Sequence, residues 1–181
     1  MIEANSRISF HPLSLDDMPD MSRWLSDPDV AAWYGEGETS IEHLTAKYSP
    51  GIAGEEPTYG FISQVDAVDV GYIQTYPING YPEYATQLQI EPGAFGIDIF
   101  VGEANYRGRG FGTVILKAFT QRIVFAEMGA IVAVIGPEPG NARAIRSYEK
   151  AGFAFLKTVY VIDEEDPHDT GEEYLMVKYP D

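Results

Sequence analysis

The chain has 181 residues, no cysteine and a formal net charge of −16. This length is enough for one domain with a full core, and the lack of cysteine excludes a disulfide framework, a cysteine nucleophile and a thiolate metal site. The negative charge disfavours binding to nucleic acid or to anionic membranes. Because neither a signal-peptide pattern nor a membrane-spanning apolar run is present, we expect a soluble, cytoplasmic protein. We also expect a single domain over residues 1–181, as a monomer or a dimer.

The first half of the chain predicts short helices and a pair of strands. Ser14 has the chemistry of a helix N-cap, and the turn from Asp66 to Asp69 separates two β-rich runs. The segment from Pro77 to Gly93 is rich in Tyr, Pro and Gly, which favours a loop or an irregular hairpin. The predicted elements are a strand at 7–13, helices at 14–25 and 40–48, and strands at 58–65 and 70–76.

The second half predicts alternating strands and helices. An apolar strand leads through a Gly-rich turn into an apolar helical pattern, and Asn141 is a good N-cap for a second helix. A loop from Asp163 to Glu173 holds seven carboxylates. The predicted elements are strands at 95–101, 131–135, 153–162 and 174–179, and helices at 113–128 and 141–151. Together the two halves predict a mixed α/β fold with a central sheet.

The Gly-rich turn Arg107-Gly108-Arg109-Gly110-Phe111-Gly112 predicts a phosphate site. The glycines allow several N–H groups to point at one spot, and the helix N-terminus adds partial positive charge. The two arginines add cationic donors. Its spacing matches neither the P-loop nor the dinucleotide-binding fingerprint. The alternative is a sharp turn that needs glycine for steric reasons alone.

Two segments resemble conserved blocks of the GCN5-related N-acetyltransferases. Arg107-x-x-Gly110-x-Gly112 is similar to their [QR]-x-x-G-x-[GA] pyrophosphate loop, and Asn141 to Phe153 is similar to their N-x-x-[AS]-x-x-x-Y-x-x-x-G-F block. The resemblance implies a central, mixed, mostly antiparallel sheet flanked by helices, with acetyl-coenzyme A as co-substrate and no metal. The cofactor-binding residues expected from it are Ile99, Phe100, Val101, Arg107, Gly108, Arg109, Gly110, Phe111, Gly112, Thr113, Asn141 and Ala144.

From about residue 8 to residue 179 the chain resembles the aminoglycoside 6′-N-acetyltransferase branch of this superfamily. The resemblance implies direct transfer of an acetyl group to the 6′-amine of an aminoglycoside, so the expected partner is a cationic small-molecule amine. The segments that carry it are Trp33-Tyr34-Gly35, Lys47-Tyr48-Ser49-Pro50, Glu91-Pro92-Gly93, Gly96-Ile97-Asp98, the Gly-rich turn and Ala142 to Phe153.

Asp98 and Tyr148 are the candidate catalytic residues. Acetyl transfer to an amine needs a neutral amine, a polarised carbonyl and a proton for the leaving thiolate. Asp98, a lone carboxylate in an apolar strand, would deprotonate or orient the amine, unless it is an ordinary solvent-facing residue. Tyr148 would donate its hydroxyl proton to the coenzyme A thiolate, unless it is a core aromatic. Backbone N–H groups of Ile99 to Val101 would polarise the carbonyl.

The acceptor site is expected to combine aromatic faces, which pack on sugar rings, with carboxylates that pair with ammonium groups. The candidates are Trp33, Tyr48, Glu83, Glu91, Asp98 and Glu138. The chain departs from the aminoglycoside enzymes at Gly136, where their T-D-P-S-P-S-N segment places an acidic residue, and Glu138 is a candidate substitute. The acidic loop Asp163 to Glu173 is also longer. Both differences concern the acceptor and not the donor.

Two other functions stay open at this point. One is an acetyltransferase for a different amine, such as a polyamine, a siderophore precursor or a protein N-terminus, and the departure at Gly136 favours it. The other is a non-catalytic sensor of acetyl-coenzyme A, which the presence of Asp98 and Tyr148 disfavours. The histidines are scattered without ligand spacing, so no metal site is predicted. They are His11, His43 and His168.

Overall fold

A computed structural model describes residues 7–35, 37–163 and 170–180. Its strands are β1 (Ile8–Pro12), β2 (Tyr59–Val65), β3 (Val68–Pro77), β4 (Ala94–Val101), β5 (Val132–Ile135), β6 (Ala154–Val161) and β7 (Gly171–Lys178). Its helices are α1 (Met18–Leu25), α2 (Pro28–Ala31), α3 (Ile41–Ala53), α4 (Pro82–Leu88), α5 (Phe111–Phe119), which a π-helical segment Thr120–Phe125 continues, and α6 (Ala142–Lys150). Within these ranges, the helices all fall short of the length and apolarity needed to span a bilayer.

The strands form a seven-stranded sheet in the order β1-β2-β3-β4-β5-β7-β6. β1 pairs antiparallel with β2, and β7 pairs antiparallel with both β5 and β6, whereas β4 and β5 are parallel. The mixed α/β fold that the sequence predicted, with a central sheet flanked by helices, is therefore confirmed. Parallel strands need a crossover connection, and here the chain between β4 and β5 contains α5.

The chain folds into two compact units. The first contains Met1–Gln74 and Ile99–Ile115, and the second contains Thr75–Asp98 and Leu116–Asp181. The expectation of a single acetyltransferase domain stays a prediction.

The first unit is built around one face of α1. Met18, Met21 and Leu25 are buried at spacings that place them on the same side of the helix. Trp24 is buried beside them, and its indole N–H donates to Glu103 at 2.9 Å, so the ring is buried without an unpaired donor. Burying each of these side chains stabilises the folded state by about 1.5–3 kcal/mol. This packing holds α1 in place.

The second unit has β5 at its centre. All four residues of this strand, Val132–Ile135, are buried, as is typical of a strand covered on both faces. Leu88 of α4 and Leu175 and Val177 of β7 belong to the same buried cluster. The residue after β5 is Gly136, and the backbone N–H of Tyr174 in β7 donates to the Pro137 carbonyl at 2.8 Å. The end of β5 is thereby fixed against β7.

The segment Pro77 to Gly93, predicted as a loop or irregular hairpin, contains helix α4 instead. Pro82 lies in its first turn, where a missing N–H costs nothing, and Leu88 faces the core with no exposed surface. The helix ends at Leu88, and the residue that caps it, Gln89, has a left-handed φ of 49°. A short helix in a Pro- and Gly-rich sequence is stabilised mainly by the tertiary packing of a few residues. Local composition therefore did not predict α4.

Other boundaries also differ from the sequence prediction. Helix α3 continues to Ala53 and includes Pro50, whereas the predicted helix ended at residue 48. Helix α5 begins at Phe111, two residues earlier than predicted. β7 begins at Gly171, so Glu172 and Glu173 belong to a strand and not to the acidic loop. Residues 164–169 of that loop lie outside the described part of the chain.

Candidate active site

The turn between β4 and α5 has the backbone conformation of an anion site. Gly108 and Gly110 have φ values of 73° and 85°, in the left-handed region that favours glycine. A β-carbon on Gly110 would meet nothing within 4 Å, so the backbone conformation, not crowding, requires the glycine. Helix α5 begins at Phe111, which places the N-terminal N–H groups of the helix and the positive end of its dipole at this turn.

Arg107 is engaged by protein carboxylates. Its guanidinium lies 2.5 Å from Asp27 and 3.5 Å from Asp29, and only 12% of its side chain is exposed. The hydrogen bond with Asp27 raises the pKa of Arg107 and lowers the pKa of Asp27. The ion pair therefore holds the Gly-rich turn to the start of α2. The predicted contact of Arg107 with a phosphate stays a prediction.

Arg109 is more exposed to solvent than Arg107. It is exposed, its guanidinium lies 5.7 Å from the centre of the Phe111 ring, and it donates to the Asn105 carbonyl at 3.0 Å. A carbonyl does not neutralise a guanidinium, so Arg109 keeps an exposed positive charge at the turn.

Asp98 and Tyr148, in the second unit, act on each other electrostatically. Both side chains are partly buried, Asp98 on β4 and Tyr148 on α6. Burial raises the pKa of the Tyr148 hydroxyl well above its usual range, and the negative charge of Asp98 raises it further. The Tyr148 hydroxyl is therefore held in its neutral form, in which it can donate a proton. Asn141 caps α6 by accepting a hydrogen bond from the Ala144 N–H at 3.1 Å, which confirms the capping role that the sequence predicted for it.

Two tyrosines that the sequence did not predict interact with Glu173. The Tyr84 hydroxyl donates to Glu173 Oε2 at 3.0 Å, and the ring centre of Tyr76 lies 6.3 Å from that of Tyr84. Burial is the main cause that raises the pKa of both tyrosines, and the charges of Asp98 and Glu173 raise both further. A β-carbon built on Gly136 would collide with Glu173 Oε2 and lie 3.1 Å from its carboxyl carbon.

The other residues predicted for the acceptor site lie at the surface or against a core. The exposed ones are Trp33, Glu83, Glu91 and Glu138. Glu91 accepts a hydrogen bond from the Tyr179 hydroxyl at 3.0 Å. Tyr48 is partly buried, and its ring centre lies 5.6 Å from that of Tyr72 in a T-shaped contact. Their contacts with an acceptor stay predictions.

His11 lies in a group that sequence spacing did not indicate. Its Nε2 is 3.4 Å from Asp69 Oδ1, and one carboxylate oxygen of Asp17 lies within 4.8 Å of both ligand atoms. Asp69 Oδ1 also accepts a hydrogen bond from Gln64 at 2.7 Å. These contacts describe a polar surface network, and we assign no metal to it. His168 lies outside the described residues.

The comparisons with known proteins agree with this geometry. Residues 14–161 match the family model described as an acetyltransferase (GNAT) domain. The chain belongs to this family. It is 27% identical over 162 residues to "Aminoglycoside N(6')-acetyltransferase type 1" of Klebsiella pneumoniae, an alignment that covers 88% of this chain and 80% of the relative.

Solved structures show the same relationship. Aminoglycoside acetyltransferase AAC(6')-Ib in complex with coenzyme A has a TM-score of 0.83 and 26% identity, with 95% of this chain and 94% of that chain covered. The complex of AAC(6')-Ib with coenzyme A and kanamycin has a TM-score of 0.81 and 25% identity, with the same coverage of both chains.

The donor side of this GNAT acetyltransferase fits acetyl-coenzyme A, the co-substrate of the reaction. The left-handed glycines, the start of α5 and the exposed charge of Arg109 suit a pyrophosphate. Residues Ala94 to Gly96 of β4 have partners in β5, whereas β4 itself continues to Val101. The last residues of β4 include Ile99, Phe100 and Val101, whose backbone was expected to polarise the thioester.

Sequence reasoning missed Tyr76, Tyr84 and Glu173 in this GNAT acetyltransferase. Tyr84 lies on the helix that composition concealed, and Glu173 was placed in the acidic loop. The signal in the sequence was Gly136, because a glycine where related enzymes carry an acidic residue leaves space for a side chain from another segment. The candidate offered for that space was Glu138, which is exposed, whereas the side chain that fills it is Glu173.

Proposed function

We propose that this GNAT acetyltransferase transfers the acetyl group of acetyl-coenzyme A to the 6′-amine of an aminoglycoside. The observation that carries the proposal is the partly buried hydroxyl of Tyr148, which burial and the charge of Asp98 keep in its neutral form. A proton donor paired with a carboxylate is what acyl transfer from a thioester to a cationic amine needs. Likeness over most of the chain to enzymes named as aminoglycoside 6′-acetyltransferases supports the choice of acceptor.

The reaction proceeds by direct attack. Asp98 orients the ammonium group of the acceptor, and the amine loses a proton to Asp98 or to water before its nitrogen attacks the thioester carbonyl. The new C–N bond forms as the C–S bond breaks, and Tyr148 gives its hydroxyl proton to the departing thiolate. The attacking nitrogen then loses a second proton, which balances the one that Tyr148 donates, while the first proton passes from Asp98 or water to the solvent. Because the amine attacks the thioester itself, no covalent enzyme intermediate is required.

The electrostatics favour a cationic acceptor. The chain has a formal net charge of −16, and the negative charges of Asp98 and Glu173 both raise the pKa of the partly buried Tyr76 and Tyr84. Aminoglycosides carry several ammonium groups, so they are attracted to such a site. The anionic cofactor is served separately by the basic Gly-rich turn. The reaction also fits the cytoplasmic location expected from the sequence, because acetyl-coenzyme A is available there.

The test is coenzyme A release from acetyl-coenzyme A with kanamycin, tobramycin, spermidine and a lysine-like monoamine as acceptors. We expect efficient turnover of the aminoglycosides and acetylation at the 6′-nitrogen, read by NMR of the product. Asp98→Asn removes the charge that orients the amine and lowers kcat/KM by about 100-fold or more. Glu172→Gln is the matched control, because Glu172 is an exposed carboxylate on β7, and its kinetics should equal those of the wild type.

Two results would contradict the proposal in different ways. Turnover of spermidine or the monoamine alone would assign the enzyme to another amine, as the departure at Gly136 first suggested. Tight binding of acetyl-coenzyme A without turnover of any amine would indicate a sensor.

A further inference from the structure

The segment that leads from β4 into the Gly-rich turn is fixed to helix α1, within the first unit. A β-carbon on Gly102 would lie 2.2 Å from the Trp24 ring, so the indole packs directly on the backbone there. The next residue, Glu103, accepts hydrogen bonds from the Trp24 indole N–H at 2.9 Å and from the Arg23 guanidinium at 2.5 Å. Packing, hydrogen bonding and charge therefore hold the segment at this point.

A second ion pair, with the charges exchanged, holds the turn itself. Asp27 accepts from both terminal nitrogens of the Arg107 guanidinium, at 3.3 Å and 2.5 Å. Arg23 and Asp27 are four residues apart in the chain, and so are Glu103 and Arg107. Each segment thus contributes one cation and one carboxylate, and the opposite alignment would bring like charges together. The two ion pairs define a single way to place the turn against the segment that joins α1 and α2.

The direction of the Asp27 carboxylate is set by a third contact. Asp27 is the N-cap of α2, and its Oδ1 accepts from the backbone N–H of Asp29 at 2.9 Å. A side chain that caps a helix has a fixed direction, and a carboxylate with a fixed direction suits the planar, two-pronged guanidinium. Asp27 is therefore oriented by its own segment to receive Arg107.

The surroundings of Arg107 are unfavourable for a phosphate. A carboxylate oxygen of Asp29 lies 3.5 Å from its guanidinium, and only 12% of the Arg107 side chain is exposed. Two carboxylates thus face one cation, so an anion that displaced Asp27 would still be repelled by Asp29. Arg109, by contrast, is exposed, and its described contacts are with a backbone carbonyl and an aromatic ring. The two arginines of the turn are therefore suited to different roles.

We propose that Asp27 is a positioning residue for the donor: it holds Arg107, so that the Gly-rich turn keeps the shape in which its backbone N–H groups and Arg109 bind the pyrophosphate of coenzyme A. The Arg107 side chain supports the turn and does not contact the phosphate. A ligand binds only the fraction of molecules whose turn has the right shape, so the ion pair strengthens binding by raising that fraction. The proposal concerns the donor alone and holds for any acceptor amine.

The direct test is the Kd of coenzyme A for Asp27→Asn, measured by titration calorimetry. Asparagine is a good N-cap, so this substitution removes the charge and keeps the cap. The Kd should rise by about 5-fold to 20-fold, because the turn loses a charge-assisted bidentate contact. If Asp27 instead competed with the phosphate for Arg107, the same substitution would release the guanidinium and lower the Kd. A Kd that fell, or stayed within about twofold of wild type, would overturn the proposal.

A double variant tests whether Asp27 acts through Arg107. Arg107→Gln should also raise the Kd of coenzyme A, and D27N/R107Q should raise it no further than the larger single effect, because both substitutions break one contact. Effects that multiplied in the double variant would contradict the proposal. Arg109→Gln should weaken coenzyme A binding while Asp27 and Arg107 are both intact, because it removes the cation assigned to the phosphate.

Kinetics with a shortened donor separate positioning of the turn from general damage. Acetyl-pantetheine carries the thioester but no pyrophosphate. With the amine that the wild type acetylates fastest, Asp27→Asn should raise the KM for acetyl-coenzyme A, whereas the KM for acetyl-pantetheine, the KM for the amine and kcat stay within about twofold of wild type. Equal increases for the two thioesters would overturn the proposal.

The matched control is Asp66→Asn. Asp66 makes another bidentate ion pair of the first unit, with Arg7, and asparagine tolerates its left-handed φ of 52°. This variant should leave the Kd of coenzyme A unchanged, and an increase equal to that of Asp27→Asn would count against a specific role for Asp27. Failure of the aminoglycoside assignment would not alter these results, because calorimetry with coenzyme A requires no acceptor.

Discussion

At the scale of single residues, the proposed general acid is a tyrosine that stays protonated. Burial and the Asp98 charge both raise the pKa of Tyr148, so its neutral form persists above the pH of about 10 at which an ordinary tyrosine ionises. The sign follows from the charged form: a phenolate at this position would be poorly solvated and repelled by Asp98. Tyr148 can therefore act as an acid throughout the physiological range.

We expect Tyr148→Phe to lower kcat by about 100-fold or more, since a positioned proton donor contributes about that much. The KM values should change little, because the phenyl ring keeps the packing. In the wild type, the alkaline limb of kcat should not fall at the ordinary pKa of tyrosine. Stopped-time assays of coenzyme A release from pH 6 to pH 10 measure both. A fall in the wild-type rate centred near pH 10 would contradict the raised pKa.

At the same scale, Asp98 and Tyr148 were predicted as catalytic residues from local pattern and resemblance, and their catalytic roles stay predictions. The structure adds that the charge of Asp98 raises the pKa of Tyr148. The position of Glu173 beside Gly136 was not predicted, because it depends on the register of β7 against β5 and on the space at Gly136. Neither is visible in a linear pattern, although the glycine itself marked the place.

At the scale of elements, the Gly-rich turn owes its shape to backbone conformation. Gly110 has a φ of 85° and open space around the position of a β-carbon. The turn was predictable because its glycines and the helix after it are local features. The ion pairs of Arg107 with Asp27 and Asp29 could not be predicted, because those residues lie some 80 positions earlier in the chain. Helix α4 was missed for a related reason, as its stability comes from burial of Leu88.

Gly110→Ala tests the turn. The substitution forces a left-handed residue with a side chain, which costs about 1–2 kcal/mol, or requires the turn to change shape. We expect a higher KM for acetyl-coenzyme A and an unchanged KM for the amine at saturating cofactor. Gly171→Ala is the matched control, because its β-carbon also meets open space but its φ is not positive. Equal effects of both variants on the cofactor KM would argue against a phosphate site at this turn.

At the scale of the whole molecule, the order of elements was enough to predict a mixed α/β fold with a central sheet, because strand and helix periodicity are set locally. The resemblance added the mixed, mostly antiparallel character of the sheet and its flanking helices. The division into two compact units was not predicted, because no linker or change in composition marks it; each unit combines segments that are distant in sequence. Strand β5, by contrast, was predicted from a run of β-branched and small apolar residues.

The formal charge of −16 leads to a prediction about salt. A polycationic acceptor is drawn to an acidic protein by a long-range field that salt screens, with a Debye length of about 10 Å at 0.1 M and about 3 Å at 1 M. Raising NaCl from 0.05 M to 0.5 M should therefore increase the KM for kanamycin much more than the KM for a monoamine, while kcat changes little.

The KM for acetyl-coenzyme A should not rise in the same way, because an anion is repelled by the general field and bound by a locally basic turn. Initial rates measured for each substrate at the same series of NaCl concentrations give all three KM values. If kanamycin and the monoamine responded equally, the acidic surface would serve solubility alone, and recognition of the acceptor would rest on short-range contacts such as those of Asp98.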